Sequence, residues 1–293
     1  MMRSLNVIHK GIVLILVATL GIVLMNTCAK MSSNNHGPIE MVFYRGVVAL
    51  LILTPYMLLT RPKSIFRTER VLHHLYRAIV GNMGVAFVFW AYSLLPMADA
   101  TALLFSAPLF VALLSPLLLK EKVNDRRWIA ILIGFIGIIL IARPSETFIF
   151  RLSSLVGLAA ALCNALVDMA LRDLGQTDDP LTTVFFFLLL GVIFSAPYTL
   201  LYGEIPLLEN IPWIIGIGFF AAIQQVAKTT AYRYAEASLL APYTYSSIIF
   251  AAIIGWLFWK DIPSFPVVAG TLLIIVSNLF IVRKEWLAAS QKM

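Results

Sequence analysis

Four stretches of this chain run for 19 to 23 residues without a single Asp, Glu, Lys or Arg: Gly11–Ala29, Ala100–Leu119, Leu181–Gly203 and Ala237–Trp259. At ~1.5 Å per helical residue, each is long enough to cross a hydrocarbon layer ~30 Å thick. Peptide N–H and C=O groups in lipid must be bonded within the segment, so such spans are helices. The rest of the chain agrees. Charged residues make up 13% of the sequence and hydrophobic ones 60%, whereas soluble domains carry about 25% charge. A chain of 293 residues cannot hide that much apolar surface from water.

The apolar segments predict ten membrane-spanning helices, at 10–30, 37–60, 77–95, 98–119, 126–143, 152–172, 180–202, 211–234, 236–259 and 264–282. Turn signals separate several of them, among them Gly37-Pro38, Arg61-Pro62, Pro96, Arg143-Pro144, Asp179-Pro180 and Ile262-Pro263. Arg3, His9 and Lys10 ahead of an apolar stretch resemble a signal peptide. The stretch has no small-x-small cleavage site before Lys30, so it is kept as the first span. Lys and Arg accumulate in cytoplasmic loops. With the N-terminus inside, sixteen of the 22 fall on the cytoplasmic side and four outside (Lys30, Arg143, Arg151, Lys260); Arg45 and Lys228 lie within spans. The expected topology has both termini in the cytoplasm. The net charge of +7 does not suggest a nucleic-acid partner, because the basic residues sit between apolar runs and form no single face.

The chain also repeats itself. Residues 91–143 align without a gap on 231–283 at an offset of 140, with Ala91-Tyr92 on Ala231-Tyr232, Ser106 on Ser246, Phe110 on Phe250, Lys120-Glu121 on Lys260-Asp261 and Arg143 on Arg283. Helices one and six agree at an offset of 142, Asn26 on Asp168 and Lys30 on Arg172. The division is therefore 10–143 and 152–283, five helices each. Five crossings reverse the chain's direction, so the second copy enters from the opposite face. The expected fold is all-α and integral to the membrane, ten transmembrane helices as two inverted five-helix repeats. Inverted repeats suit alternating access, because exchanging their conformations turns an outward-open site inward.

Glu40-Met41-Val42-Phe43-Tyr44-Arg45 enters helix two, and Ala98-Asp99-Ala100-Thr101-Ala102, Pro108-Leu109-Phe110 and Leu119-Lys120-Glu121 span helix four. On these residues the chain resembles the drug/metabolite transporter superfamily, in its ten-helix branch of paired EamA-type repeats. Ala241-Pro242-Tyr243-Thr244-Tyr245 is similar to the Ala-Pro-Tyr-x-Tyr run of the S-adenosylmethionine uptake carriers of that superfamily. The resemblance implies a carrier of a small organic metabolite. Asp99-Ala100 has no counterpart in the second repeat, which reads Leu239-Leu240.

Polar groups inside a span need a partner or a wet cavity. Gln224, Gln225, Lys228 and Tyr232 form one stripe on helix eight, either facing the interior or with Lys228 snorkelling to the interface. Helix nine offers Tyr243, Tyr245, Ser246 and Ser247 beside Pro242, and helix four mirrors it with Ser106, Pro108 and Pro116. Paired proline-broken helices point to a transport site; a packing kink is the alternative. Asp168 either carries a proton or substrate ammonium, or pairs with Arg172 one turn on. Arg45 binds a carboxylate, supports the fold or snorkels outward. Trp90 and Tyr92 end helix three as stacking aromatics or interface markers, and Asn82 faces a cavity or bonds to a neighbouring helix. The expected substrate-binding set is thus Asn82, Trp90, Tyr92, Ser106, Gln224, Gln225, Lys228, Tyr232, Tyr243, Tyr245 and Ser246, with Asp168 and Arg45 in coupling or gating.

No phosphate-binding Gly-x4-Gly-Lys-Ser/Thr loop and no His-Glu-x-x-His or Gly-x-Ser-x-Gly motif occurs, so the expectation is a secondary transporter and not an enzyme. No cofactor or metal is expected. Cys28 and Cys163 read as small packing residues. The expected partners are a small-molecule metabolite and membrane lipid, the chain being a monomer or weak homodimer. Missing glycosylation sequons fit a bacterial inner (plasma) membrane.

Overall fold

The computed structural model describes residues 2–60, 68, 70–118, 125–142, 152–174, 180–234, 240 and 243–290. The described residues form helices and connections, with no strand among them. The helices are α1 (Met2–Ser32), α2 (Pro38–Thr60), α3 (Val71–Leu94), α4 (Met97–Leu104), α5 (Ala107–Leu118), α6 (Asp125–Ala142), α7 (Leu152–Leu174), α8 (Pro180–Tyr202), α9 (Ile211–Tyr234), α10 (Ser246–Trp259) and α11 (Phe265–Ser290). Among the described residues seven stretches are long and apolar enough to cross a bilayer, Met97–Leu114 being one that runs through α4 into α5. Trp128–Ala142, Ser246–Trp259 and Phe265–Phe280 are shorter apolar helices. Leu51, Leu59, Leu132, Leu200, Ile253 and Leu272 point outward from five different helices. An apolar perimeter of that extent belongs in hydrocarbon.

Local chemistry sets the ends. Pro96 cannot extend α3 and holds Leu95 extended (φ −123, ψ 155), so α3 stops and α4 begins one residue later. α10 ends on Lys260 in the left-handed region (φ 58), with the N–H of Lys260 donating to Trp256 O and that of Asp261 to Gly255 O. This is a Schellman cap on a non-glycine residue.

Two expected spans differ from the structure. The fourth is two helices, broken at Phe105-Ser106. Pro108 has no N–H to give the carbonyl of residue 104, so the helix stops and restarts, with Leu109 N and Phe110 N donating to Ser106 O. In the ninth, the described part has a turn at Tyr245 before α10 begins. Residues 235–239 and 241–242, with Pro242, lie outside the described residues. α3 also starts six residues earlier than the expected 77.

Packing pairs helices across the two halves: α1 on α9, α3 on α7, α2 on α8 and α9, α3 on α8, α4 on α10, and α6 on α11. α1 and α9, α3 and α7, and α6 and α11 run antiparallel, whereas α3 and α8 run parallel, Arg77 bonding to Thr183 O and Asn82 to Phe187 O. Gly21 lies against Gln224 while Cys28 lies against Gly216, and Gly81 meets Val167 while Gly84 meets Cys163. Gly137 meets Gly270 while Ser277 Oγ donates to Ala130 O. At the Gly137–Gly270 crossing, a Cβ on either glycine would come within 2.5–2.6 Å of the other's carbonyl oxygen. One core gathers Met41, Phe89, Tyr92, Leu188 and Ile217 from α2, α3, α8 and α9, and a second gathers Leu109, Ile138 and Ile274 from α5, α6 and α11.

Candidate functional site

Backbone freed by a helix break inside a membrane must find new partners. At the α4–α5 break, Leu103 O accepts both Ser106 N (3.0 Å) and Ser106 Oγ (2.6 Å), and Phe105 O accepts Asn278 Nδ2 of α11 at 3.0 Å. At the Tyr245 turn the same device recurs: Ser246 Oγ donates to Tyr243 O at 2.6 Å and Ser247 Oγ to Thr244 O at 2.9 Å. The two breaks face each other. The rings of Phe105 and Tyr245 lie 4.9 Å apart, centroid to centroid. Ser246 Oγ is also 3.0 Å from Thr19 Oγ1 of α1. Tyr243, Tyr245 and Ser246 line a cavity of about 600 Å³ with Ala98 of α4 and Val267 and Thr271 of α11.

A second cavity, about 630 Å³, opens between α2, α3 and α8 and brings together Asn82, Trp90, Ser195 and Tyr198. Asn82 is fixed across it, with Nδ2 donating to Ala78 O at 2.8 Å and to Phe187 O of α8 at 3.2 Å. Gly191 opposite leaves room for the amide, since any Cβ there would collide with Asn82 Oδ1. Trp90 stacks on Phe87 at 6.5 Å and also borders a polar cavity of about 390 Å³ at the α1–α2 turn. That cavity contains Glu40 and Glu204, and in it His36 Nδ1 lies 2.8 Å from Glu40 Oε2, both side chains buried.

The remaining candidates are dispersed. Tyr92 is buried and its hydroxyl lies 2.8 Å from Thr101 Oγ1, which donates to Met97 O. Ser106 is fully buried at its break. Gln224, Gln225 and Lys228 are half-buried on α9, Gln224 against Gly21. Asp168 is exposed on α7, and its charge acts on Arg77. The side chains of Tyr232, Arg172 and Pro116 lie outside the described residues, as does the Lys120-Glu121 step. Arg45 does not snorkel: it is 3% exposed, with its Cζ 5.3 Å from the centroid of Phe187. Cys28 and Cys163 are free and buried.

Three groups escaped the sequence reading. Arg77, counted there as a cytoplasmic charge, is buried in the second turn of α3, because the helix begins at Val71. Asn278 is a polar residue in an apolar run, and the rule that singled out Asn82 would have found it. Pro55 of α2 and Pro197 of α8 share the 142 offset, as do Tyr56 and Tyr198, Leu58 and Leu200, and Leu59 and Leu201.

Long apolar helices and a lipid-compatible perimeter define a polytopic integral membrane protein. The chain belongs to the EamA-like transporter family, whose model matches residues 9–143 and again 151–283. It is similar to a pseudopaline exporter of Pseudomonas aeruginosa (28% identity, covering 96% of this chain and 99% of the relative). A riboflavin transporter of Vibrio cholerae is 30% identical, covering 94% of each chain. An S-adenosylmethionine uptake transporter of Rickettsia bellii is 24% identical, covering 86% of each. A solved crystal structure at 18% identity shares the fold, with a TM-score of 0.64 over 93% of this chain and 98% of that one.

Proposed function

We propose that this protein is a secondary carrier that moves a small polar or zwitterionic organic metabolite by alternating access, its two halves, 10–143 and 152–283, acting as inverted five-helix repeats. The observation that carries the reading is the meeting of the two broken helices, Phe105 on Tyr245 at 4.9 Å, at positions 140 residues apart in the sequence. Broken helices in matching positions of two halves are where carriers bind their cargo, because freed backbone is tolerated only beside protein or water. Antiparallel packing of corresponding helices and the double match of the family model support the inversion. Riboflavin, S-adenosylmethionine and pseudopaline, in the names of the relatives, support an organic cargo.

In this reading Tyr243, Tyr245, Ser246 and Ser106 face the cargo at the breaks. Gln224, Gln225, Lys228 and Tyr232 line its path along α9, and Asn82, Trp90 and Tyr92 border it on α3. Asp168 and Arg45 couple or gate. The carrier sits in a bacterial inner membrane with both termini in the cytoplasm.

Purified protein in proteoliposomes tests the proposal, with radiolabelled riboflavin, S-adenosylmethionine and an amino-acid mixture as probes. Saturable uptake that accelerates when unlabelled solute is loaded inside is expected. Conductance that does not saturate marks a channel, and an absence of flux for every probe marks a scaffold or enzyme.

A further inference from the structure

Two arginines, on α2 and α3, are buried around one phenylalanine of α8. The Cζ atoms of Arg45 and Arg77 lie 5.3 and 4.7 Å from the centroid of the Phe187 ring, and the side chains are 3% and 5% exposed. Arg77 gives one hydrogen bond, Nη1 to Thr183 O at 2.7 Å. The Nε atoms of both are buried without an acceptor, and Arg45 makes no hydrogen bond to any described residue. Each guanidinium carries five donors in a rigid fork and has no neutral form available to it. The two repel, and Asp168 is the carboxylate whose charge acts on Arg77. Glu40, on the same helix as Arg45, is engaged by His36.

We infer that Arg45 and Arg77, braced by Phe187, form a subsite for a carboxylate of the transported solute. Arg45 carries its charge where dielectric screening is weak, with no carboxylate at ion-pair distance among the described residues. A buried charge in that condition is unfavourable until a counter-charge arrives. A single negative charge matches Arg45, which favours a carboxylate over a phosphate dianion. A guanidinium fork meets a carboxylate through two parallel N–H···O bonds, the geometry that the orphaned Arg45 is free to offer. Phe187 offers its ring to both cations. The subsite rests on the carrier reading for its cargo, and it adds the chemical class: the solute bears a carboxylate.

Thermal unfolding of the purified protein tests this without any transport measurement. Benzoate replaces chloride at fixed ionic strength, and benzamide serves as its uncharged isostere. Benzoate should raise Tm saturably, by mass action on the folded state, and benzamide should not. Arg45→Gln and Arg77→Gln should each weaken the apparent affinity at least tenfold, whereas Lys260→Gln, at the end of α10, should leave it unchanged. Should Arg45→Gln fail to fold, Arg45→Lys keeps the charge but loses the fork, and it should weaken affinity several-fold. Equal response to benzoate and benzamide, or affinity that survives both arginine substitutions or the lysine replacement, overturns the subsite. Solute flux without a benzoate response leaves the carrier standing and removes the subsite. A benzoate response without flux of any solute does the reverse.

Discussion

Asn82 illustrates how a polar side chain is tolerated in the membrane. Its amide bonds to its own helix and to Phe187 O, and Gly191 yields the space. Interhelical hydrogen bonds in membranes contribute on average ~0.6 kcal/mol and at most ~1.7 kcal/mol. Asn82→Leu should therefore destabilise the protein by about 1 kcal/mol, read from unfolding in increasing fractions of sodium dodecyl sulfate. Gly191→Ala should cost more, about 1–3 kcal/mol, because the added methyl collides with the amide. Tyr92→Phe, which strips the hydroxyl from Thr101, should cost about 1 kcal/mol in the same assay. Asn82 was legible in the sequence because an amide in an apolar run demands a partner, though the partner itself was not. Arg77 was not legible: the apolar segment begins near it, whereas the helix begins at Val71 and carries it under α8. Helix starts follow backbone bonding, and the hydropathy trace reports only the lipid-facing part.

The helix breaks were only half legible in the sequence. Pro108 announced an interruption in the fourth span, yet its hydropathy is continuous and no turn residue marks Phe105-Ser106. What holds the break open is Asn278, 173 residues away, bonded to Phe105 O. A contact of that separation has no local signature. Asn278→Leu should leave that carbonyl without its protein partner and lower stability by about 1–3 kcal/mol, measured as Tm, while a matched Leu279→Ala on the outward face should cost far less. The α2–α8 correspondence was readable in the Pro55-Tyr56 and Pro197-Tyr198 steps, but it lay outside the segment that aligned without gaps.

The molecule as a whole is organised by pairs that cross between halves. Lys30, counted in the sequence as an outer-loop charge, closes one end of this assembly. Its Nζ donates to Leu95 O at 2.5 Å and lies 5.1 Å from the centroid of a Trp259 ring, with the charges of Asp261 and Asp99 acting on it. It therefore ties α1 to the ends of α3 and α10. Lys30→Gln should loosen this closure. In a Cys28→Ser, Cys163→Ser background, a cysteine at Met97, now fully buried, should react several-fold faster with a membrane-impermeant thiol reagent added from outside. Reaction at the unchanged rate would assign Lys30 to packing alone. The contact of α6 with α11 is of another kind. Where Gly137 and Gly270 touch, main chain rests on main chain with no side chain to swing aside. Two rods joined that tightly cannot slip past one another. If the protein is the carrier proposed above, its interior reshapes by pivoting about this seam as covers turn on a spine, and a covalent staple between positions 130 and 277 should leave turnover intact.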